Sequence, residues 1–199
     1  MWDLSVRLAG EIVALEPLRP DHEEGLFEAG SYDDVFTWWP ANPAESRESM
    51  HEFVAMCLQA AHDGERQHFA TVDAQTGEVI GSTSYCLIQP EHRVVEIGYT
   101  FLTPSRWRTG ANTEAKLLML RHAFVHLECQ RVQIVTDAEN ARSRRAIESL
   151  GAELEGIHRD DRIVQGGRRR SSAFYSVLDS EWPDVERRST DRLKAKVVG

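Results

Sequence analysis

The sequence predicts a mixed α/β domain of the α+β kind, built on one mostly antiparallel sheet, and three observations predict it. Short runs of alternating apolar and polar residues recur through the first hundred positions and again near the end, as strands do. Residues 94–102 pass through one turn into a helical pattern and then into a second apolar run at 131–136. A strand–helix–strand unit of about 40 residues has parallel strands. The last two extended runs flank Gln165-Gly166-Gly167 and read as a hairpin.

With 199 residues, 41% hydrophobic and 28% charged, the chain is long enough for one sizeable core and short for two. Residues 1–183 are therefore read as a single domain, and the charged stretch 184–199 as a tail that is a frayed helix or disordered. No apolar run approaches membrane-spanning length, and the N-terminus lacks the basic-then-apolar layout of an export signal. Three widely spaced cysteines, Cys57, Cys86 and Cys129, fit reduced thiols, so a cytoplasmic protein with no membrane partner is expected. A net charge of −9 speaks against nucleic acid. It suits cationic partners, or serves solubility alone.

In chain order, residues 11–15 alternate weakly and stop before Pro17, predicting a strand, and Asp21 opens a helix. Phe36, Trp38 and Trp39, next to Pro40, predict an aromatic loop that fills core or lines a substrate cleft. Ser46 or Ser49 starts a helix that reaches His62, with Phe53, Met56, Cys57 and Ala60 on one face. Residues 67–74 and 78–87 read as strands joined by a turn at 74–77. In the strand at 94–102, alternation puts Val95, Ile97, Tyr99 and Phe101 on one face and Glu96, Gly98, Thr100 and Leu102 on the other. A helix from Asn112 to Leu127 shows a stripe of Leu117, Leu120, Phe124 and Leu127. Another helix runs from Asn140 to Leu150, closed by Gly151. The hairpin strands are 152–164 and 169–178.

The stretch Thr103-Pro104-Ser105-Arg106-Trp107-Arg108-Thr109-Gly110-Ala111-Asn112-Thr113 joins the strand at 94–102 to the long helix. A strand that feeds through a glycine turn into a helix leaves main-chain N–H groups unpaired at the positive end of the helix dipole, and such a place binds anions. Gly110 making only a turn and Asn112 only a cap is the plainer alternative. No Gly-Lys-Ser/Thr follows, and no Gly-x-Gly-x-x-Gly occurs, so neither common nucleotide fingerprint is present.

The order of these elements resembles the GNAT superfamily of acyl-CoA-dependent N-acyltransferases. Val95-Glu96-Ile97-Gly98-Tyr99, Trp107 to Ala115, Thr136 to Ser143 and Leu150-Gly151-Ala152 carry the resemblance. The branch that acetylates N-termini of ribosomal proteins is the most similar. The resemblance spans roughly residues 12–182. It implies helices on both faces of the sheet and a splayed parallel pair, 94–102 and 131–136, with acetyl-CoA in the gap and no metal. The family's phosphate-cradling pattern falls on Trp107, Gly110 and Asn112, of which only Gly110 matches strictly. The resemblance therefore assigns the donor to Phe101, Leu102, Thr103, Trp107, Arg108, Thr109, Gly110, Ala111, Asn112, Thr113, Asn140, Ser143 and Arg145. Arg106, Arg142 and Arg144 are further candidates for the phosphates, and Asn112 doubles as a cap.

Amine attack on a thioester needs a neutral amine, a polarised carbonyl, a proton for the leaving thiolate and a groove that aligns both reactants. The resemblance implies that a main-chain N–H within 101–103 faces the thioester oxygen and that Ser143 protonates the thiolate, since the usual tyrosine position is Ile147. Asn140 holds the pantetheine arm or the amine, or only caps its helix; Ser143 otherwise bonds back along its helix. Glu96 is the candidate base, with Asp160 and Asp161 as second choices, although the aligned position is Arg162; a water chain is the remaining option. Trp38, Trp39, Glu96 and Asp160 form the expected acceptor site. His122, His126 and Cys129 lack a fourth ligand for zinc, and the basic run Arg168-Arg169-Arg170 reads as a solvated or dimer-facing hairpin. The expected reaction is acetyl transfer to a protein N-terminus, a polyamine or an amino-sugar. A non-catalytic acyl-CoA sensor and a longer acyl donor are the alternatives, and a homodimer through the hairpin is plausible.

Overall fold

In the computed structural model, which describes residues 2–197, eight strands form one sheet: β1 (Leu8–Ala9), β2 (Val13–Pro17), β3 (Gln67–Asp73), β4 (Val79–Gln89), β5 (Val94–Leu102), β6 (Arg131–Asp137), β7 (Glu153–Ile163) and β8 (Arg169–Leu178). The order is β1-β2-β3-β4-β5-β6-β8-β7, and every neighbouring pair is antiparallel except β5–β6. Five helices accompany them: α1 (Glu23–Gly30), α2 (Arg47–His62), α3 (Ala111–Arg121), α4 (Ala141–Leu150) and α5 (Trp182–Val197). None of the described helices is long and apolar enough to cross a membrane.

The helices divide between the two faces of the sheet. Leu26, Met50, Phe53, Val54 and Cys57 of α1 and α2 pack with Val35, Phe36 and Phe101 on one face. On the other, Leu117, Met119 and Leu120 of α3, Ile147 of α4 and Val185 of α5 pack with Val95 and Ile97. Ser46 caps α2 by accepting from Ser49 N–H at 3.0 Å, as its hydroxyl predicts. The buried stripe of α2 is Met50-Phe53-Val54-Cys57; Met56, expected inside, is 50% exposed.

Two corrections bear on function. Tail residues 184–197 take the helical alternative, as part of α5, but the helix is docked and not frayed. Trp182, Val185 and Ser189, spaced three and four apart, bury one side of α5, and Trp182 stacks on Phe124 with ring centroids 5.4 Å apart. Residues 198 and 199 lie outside the described residues. The second correction concerns β5, whose faces alternate as expected only up to Gly98. Ser82 and Ser84 of β4 oppose Phe101 and Gly98, so β5 carries one extra residue there, with Tyr99 at φ 47°. Such a bulge inverts every side chain beyond it. Tyr99 and Phe101 consequently join Glu96 on the α1/α2 face, and Thr100 and Leu102 turn toward α3.

Candidate active site

The parallel pair β5–β6 is registered only from Val94↔Arg131 to Ile97↔Ile134. Beyond that the strands part, and residues 97–102 and 134–137 become walls of a cleft of about 490 Å³. Antiparallel pairing explains what β5 presents to the gap. Thr103 N–H donates to Ile80 O at 2.8 Å, so the preceding residue, Leu102, turns its own N–H and C=O away from β4 and toward β6. The Leu102 C=O accepts from Trp107 Nε1 at 2.8 Å. Its N–H faces the gap. Of the three main-chain donors expected near the thioester, the geometry selects Leu102 and removes Thr103.

At one end of the cleft stands the start of α3. Gly110 is its N-cap, with φ 110° and no side-chain cap, and Glu114 N–H donating to Gly110 O makes the first helical turn. Ala111 N–H donates to Thr109 Oγ1 at 3.4 Å, which leaves the N–H groups of Asn112 and Thr113, both on the cleft wall, pointing out of the first turn. Asn112 is inside the helix and is not its cap. Glu114 locks this end in place: its buried carboxylate accepts from Glu11 N–H at 3.0 Å and from Ile12 and Val13 N–H at 2.7 Å each. Arg142 stacks on Trp107, 3.7 Å from the ring centroid, and Arg108 and Arg145 complete the basic rim. Thr109, exposed and folded back to Arg106 O at 2.8 Å, and the buried Ala111 are not in the wall. Arg106 is held by Asp73 at 2.6 Å and Arg144 by Tyr175 at 2.9 Å, so neither faces the gap.

At the opposite end, Trp38, Trp39, Pro40, Tyr99 and Glu96 line the same cleft. Trp39 meets Phe36, Tyr99 and Phe101 edge to face, with centroids 5.0 to 5.8 Å apart. Gln133 Nε2 donates to Glu96 at 2.7 Å, and the Cys86 thiol, which burial pushes up to about 12, lies 3.7 Å from the other carboxylate oxygen. Asn140 caps α4 by accepting from Ser143 N–H at 3.0 Å. That leaves its amide nitrogen and the half-buried Ser143 hydroxyl on the cleft wall. Asp160 stands elsewhere. A register shift in β7 between His158 and Arg162 puts it at φ 51° on the outer side, paired with Arg169 at 3.1 Å, and Arg162 takes the place on the wall.

Charge in the cleft runs against the charge of the chain. Arg108, Arg142, Arg145, Arg162, Arg170 and Arg192 line it, against Glu96 and Asp137; Asp137 is shared by Arg168 and Arg170, and Arg162 is paired with Asp161 at 3.1 Å. The net −9 said to suit cationic partners thus sits outside a cleft suited to a polyanion. Sequence reasoning missed Tyr99, Arg192 and above all Lys116, which is 5% exposed yet lines the cleft. The available signal was a lysine inside the apolar run Ala115-Lys116-Leu117-Leu118-Met119-Leu120, four residues before a buried leucine. Among the described residues no cluster of three His, Cys, Asp or Glu is arranged to hold a metal.

With this geometry in hand, comparison with known proteins is informative. A family model described as an acetyltransferase (GNAT) domain matches residues 13–153, from β2 through α4. The crystal structure of a GCN5-related N-acetyltransferase from Brucella melitensis aligns with a TM-score of 0.87 at 34% identity, covering 95% of this chain and 86% of that one. YdaF of Bacillus subtilis, provisionally named a ribosomal N-acetyltransferase, is 32% identical over 106 residues, 53% of this chain and 57% of its own. A spermidine N-acetyltransferase from Vibrio cholerae shares the fold, with a TM-score of 0.69 at 20% identity over 87% of this chain and 97% of that one. The chain belongs to the GNAT family of N-acetyltransferases, enzymes that take their acetyl group from acetyl-CoA.

Proposed function

We propose that this enzyme moves acetyl from acetyl-CoA directly to a primary amine while both are bound, and that the acceptor is a protein N-terminal α-amine, ribosomal proteins being the first class to test. One observation supports this reading: the gap between β5 and β6 joins the glycine-turn start of α3 to an aromatic wall that carries a carboxylate. Two substrates can meet there without a covalent enzyme intermediate. The N–H groups before Glu114, with Arg108, Arg142 and Arg145, hold the phosphates. Leu102 N–H polarises the thioester carbonyl. Glu96 receives the proton shed by the acceptor nitrogen, Asn140 steadies the pantetheine arm through its amide nitrogen, and Ser143 donates to the sulfur. Trp38 and Trp39 flank the acceptor. An α-amine has a pKa of about 8, so a fraction is neutral at cellular pH before any base acts. The reading places the enzyme in the cytoplasm. Leu154, Ile157 and Ile163, exposed on the outer strand β7, support a homodimer formed through the hairpin.

The test is thiol release from acetyl-CoA with a panel of N-terminal peptides, polyamines and amino-sugars. Peptides are expected to be the best acceptors, with Glu96→Gln lowering kcat by about 100-fold or more and Ser143→Ala by about 10- to 100-fold. Spermidine outrunning every peptide would move the acceptor to the polyamines. A protein that binds acetyl-CoA but releases no thiol with any amine is a sensor and not an enzyme.

A further inference from the structure

Lys116 is the one buried lysine that reaches the cleft among the described residues. Its Nζ donates to Thr83 Oγ1 at 3.0 Å and to Thr100 Oγ1, and the two hydroxyls are 2.8 Å apart. Among the described residues no carboxylate pairs with it. The nearest candidates are committed elsewhere: Glu114 on the same helix is bound to the N–H groups of residues 11–13, and Glu96 lies on the opposite face of β5, bound to Gln133. Glu186 of α5 pairs with Arg121. From β4, the buried Cys86 remains a thiol and Tyr85 donates its hydroxyl to Met119 O at 2.6 Å, while His122 lies farther along toward the other end of the helix. A buried ammonium without an anion is costly, and here an anion forms during the reaction. Lys116 lies six residues beyond Gly110 on the helix whose start binds the phosphates, so about 9 Å along its axis. It therefore belongs to the donor side of the gap, where the carrier arm enters.

We propose that Lys116, aimed by Thr83 and Thr100, faces the sulfur of the bound thioester and supplies the proton that the departing thiolate takes up. This rests on the acetyl-CoA reading of the cleft and adds a catalytic residue to it. As the acceptor nitrogen bonds to the carbonyl carbon, the C–S bond breaks with its electron pair going to sulfur, and a proton passes from Nζ to sulfur. The acceptor's own proton leaves toward Glu96 or water, and Nζ regains one from solvent after the thiol departs. Ser143 then orients the sulfur from α4, and the net proton comes from Lys116. Burial pulls the Lys116 ammonium down to about 7. A donor titrating there is well matched to a thiol whose ordinary pKa is about 8.5.

The test needs no acceptor. The thiol of enzyme-bound CoA is titrated by its ultraviolet thiolate absorbance in wild type, Lys116→Met and Lys116→Gln. The bound thiol is expected to titrate about one pH unit or more lower in wild type than in either variant, because only there does an ammonium face the thiolate. In turnover the two variants should lose about 10- to 100-fold in kcat, with KM for acetyl-CoA within about threefold of wild type. Two variants of different polarity guard against one failing to fold. Bound CoA whose thiol titrates alike in wild type and whichever variant folds overturns the role of Lys116 and leaves the cleft reading standing. CoA that does not bind wild type at all overturns both.

Discussion

The two ends of the cleft are built in different ways. On the reading proposed above, the donor end is made of main chain: the start of α3, the turn at Gly110 and the Leu102 peptide, whose C=O is held by the Trp107 indole. One buried carboxylate, Glu114, ties it to the segment at residues 11–13. The acceptor end is made of side chains brought from three distant places. Trp38 and Trp39 come from the loop after α1, Glu96 and Tyr99 from β5, and Arg162 from the hairpin. The loop is tied to the hairpin by Gln165, which donates its amide to Phe36 O at 2.7 Å and to Trp39 O at 3.1 Å. Main-chain geometry tolerates side-chain change, so a family can keep one donor while its acceptors diverge. That is why the donor follows from family membership and the acceptor does not.

The contrast is tested most severely at Gly110. With φ at 110°, a β-branched residue there is strained by about 1–3 kcal/mol, or the turn rearranges. Gly110→Val is expected to weaken CoA binding roughly 10- to 100-fold by calorimetry, with acceptor KM little changed at saturating donor. A Gly110→Val protein that binds CoA normally would show that the main chain is not what holds the phosphates.

A smaller effect, of opposite selectivity, is expected from Gln165→Ala. Two hydrogen bonds worth about 1 kcal/mol each are lost, while Gln165 N–H still donates to Pro40 O at 3.0 Å. Acceptor KM should rise about three- to tenfold and acetyl-CoA KM should not move. If both rise together, the two ends are coupled and the division drawn here is too sharp.

How much of this was legible beforehand follows the same division. Periodicity and turn residues place seven of the eight strands and four of the five α-helices, because a strand or helix announces itself over several neighbouring residues. Strand β1, two residues long, carries no period to read. The turn at Gly110 is local and was therefore readable. What sequence could not supply is register. The bulge at Tyr99 inverts the end of β5, and the shift in β7 carries Asp160 outward in favour of Arg162. Both depend on how one strand meets another. Long-range polar contacts have the same origin: nothing near Arg106 in sequence announces its ion pair with Asp73, or near Arg144 its hydrogen bond to Tyr175. The docking of α5 was foreshadowed by Trp182, Val185 and Ser189, but the charge around them hid the stripe.

A further effect concerns stability and not turnover, and it sets the α3 end of the cleft apart by its buried cation. Lys116 titrates near 10.5 in the unfolded chain and, through burial, near 7 in the folded one. Between those values the unfolded chain binds the extra proton, so this group makes stability rise with pH, by at most about 1.4 kcal/mol per unit. Below pH 7 both states are charged and its destabilising effect is full and constant. Lys116→Met removes the effect, so the variant should melt above wild type at pH 6, with the gap narrowing by pH 9 and closing only near pH 10.5. The thiols of Cys57, Cys86 and Cys129, pushed up to about 12 by burial, act in the opposite direction above pH 9. They are present in both proteins, and their contribution cancels in the difference between melting curves. A gap that stays constant from pH 6 to 9 in ligand-free protein would mean that Lys116 keeps its proton when folded, and with it a partner that holds the charge.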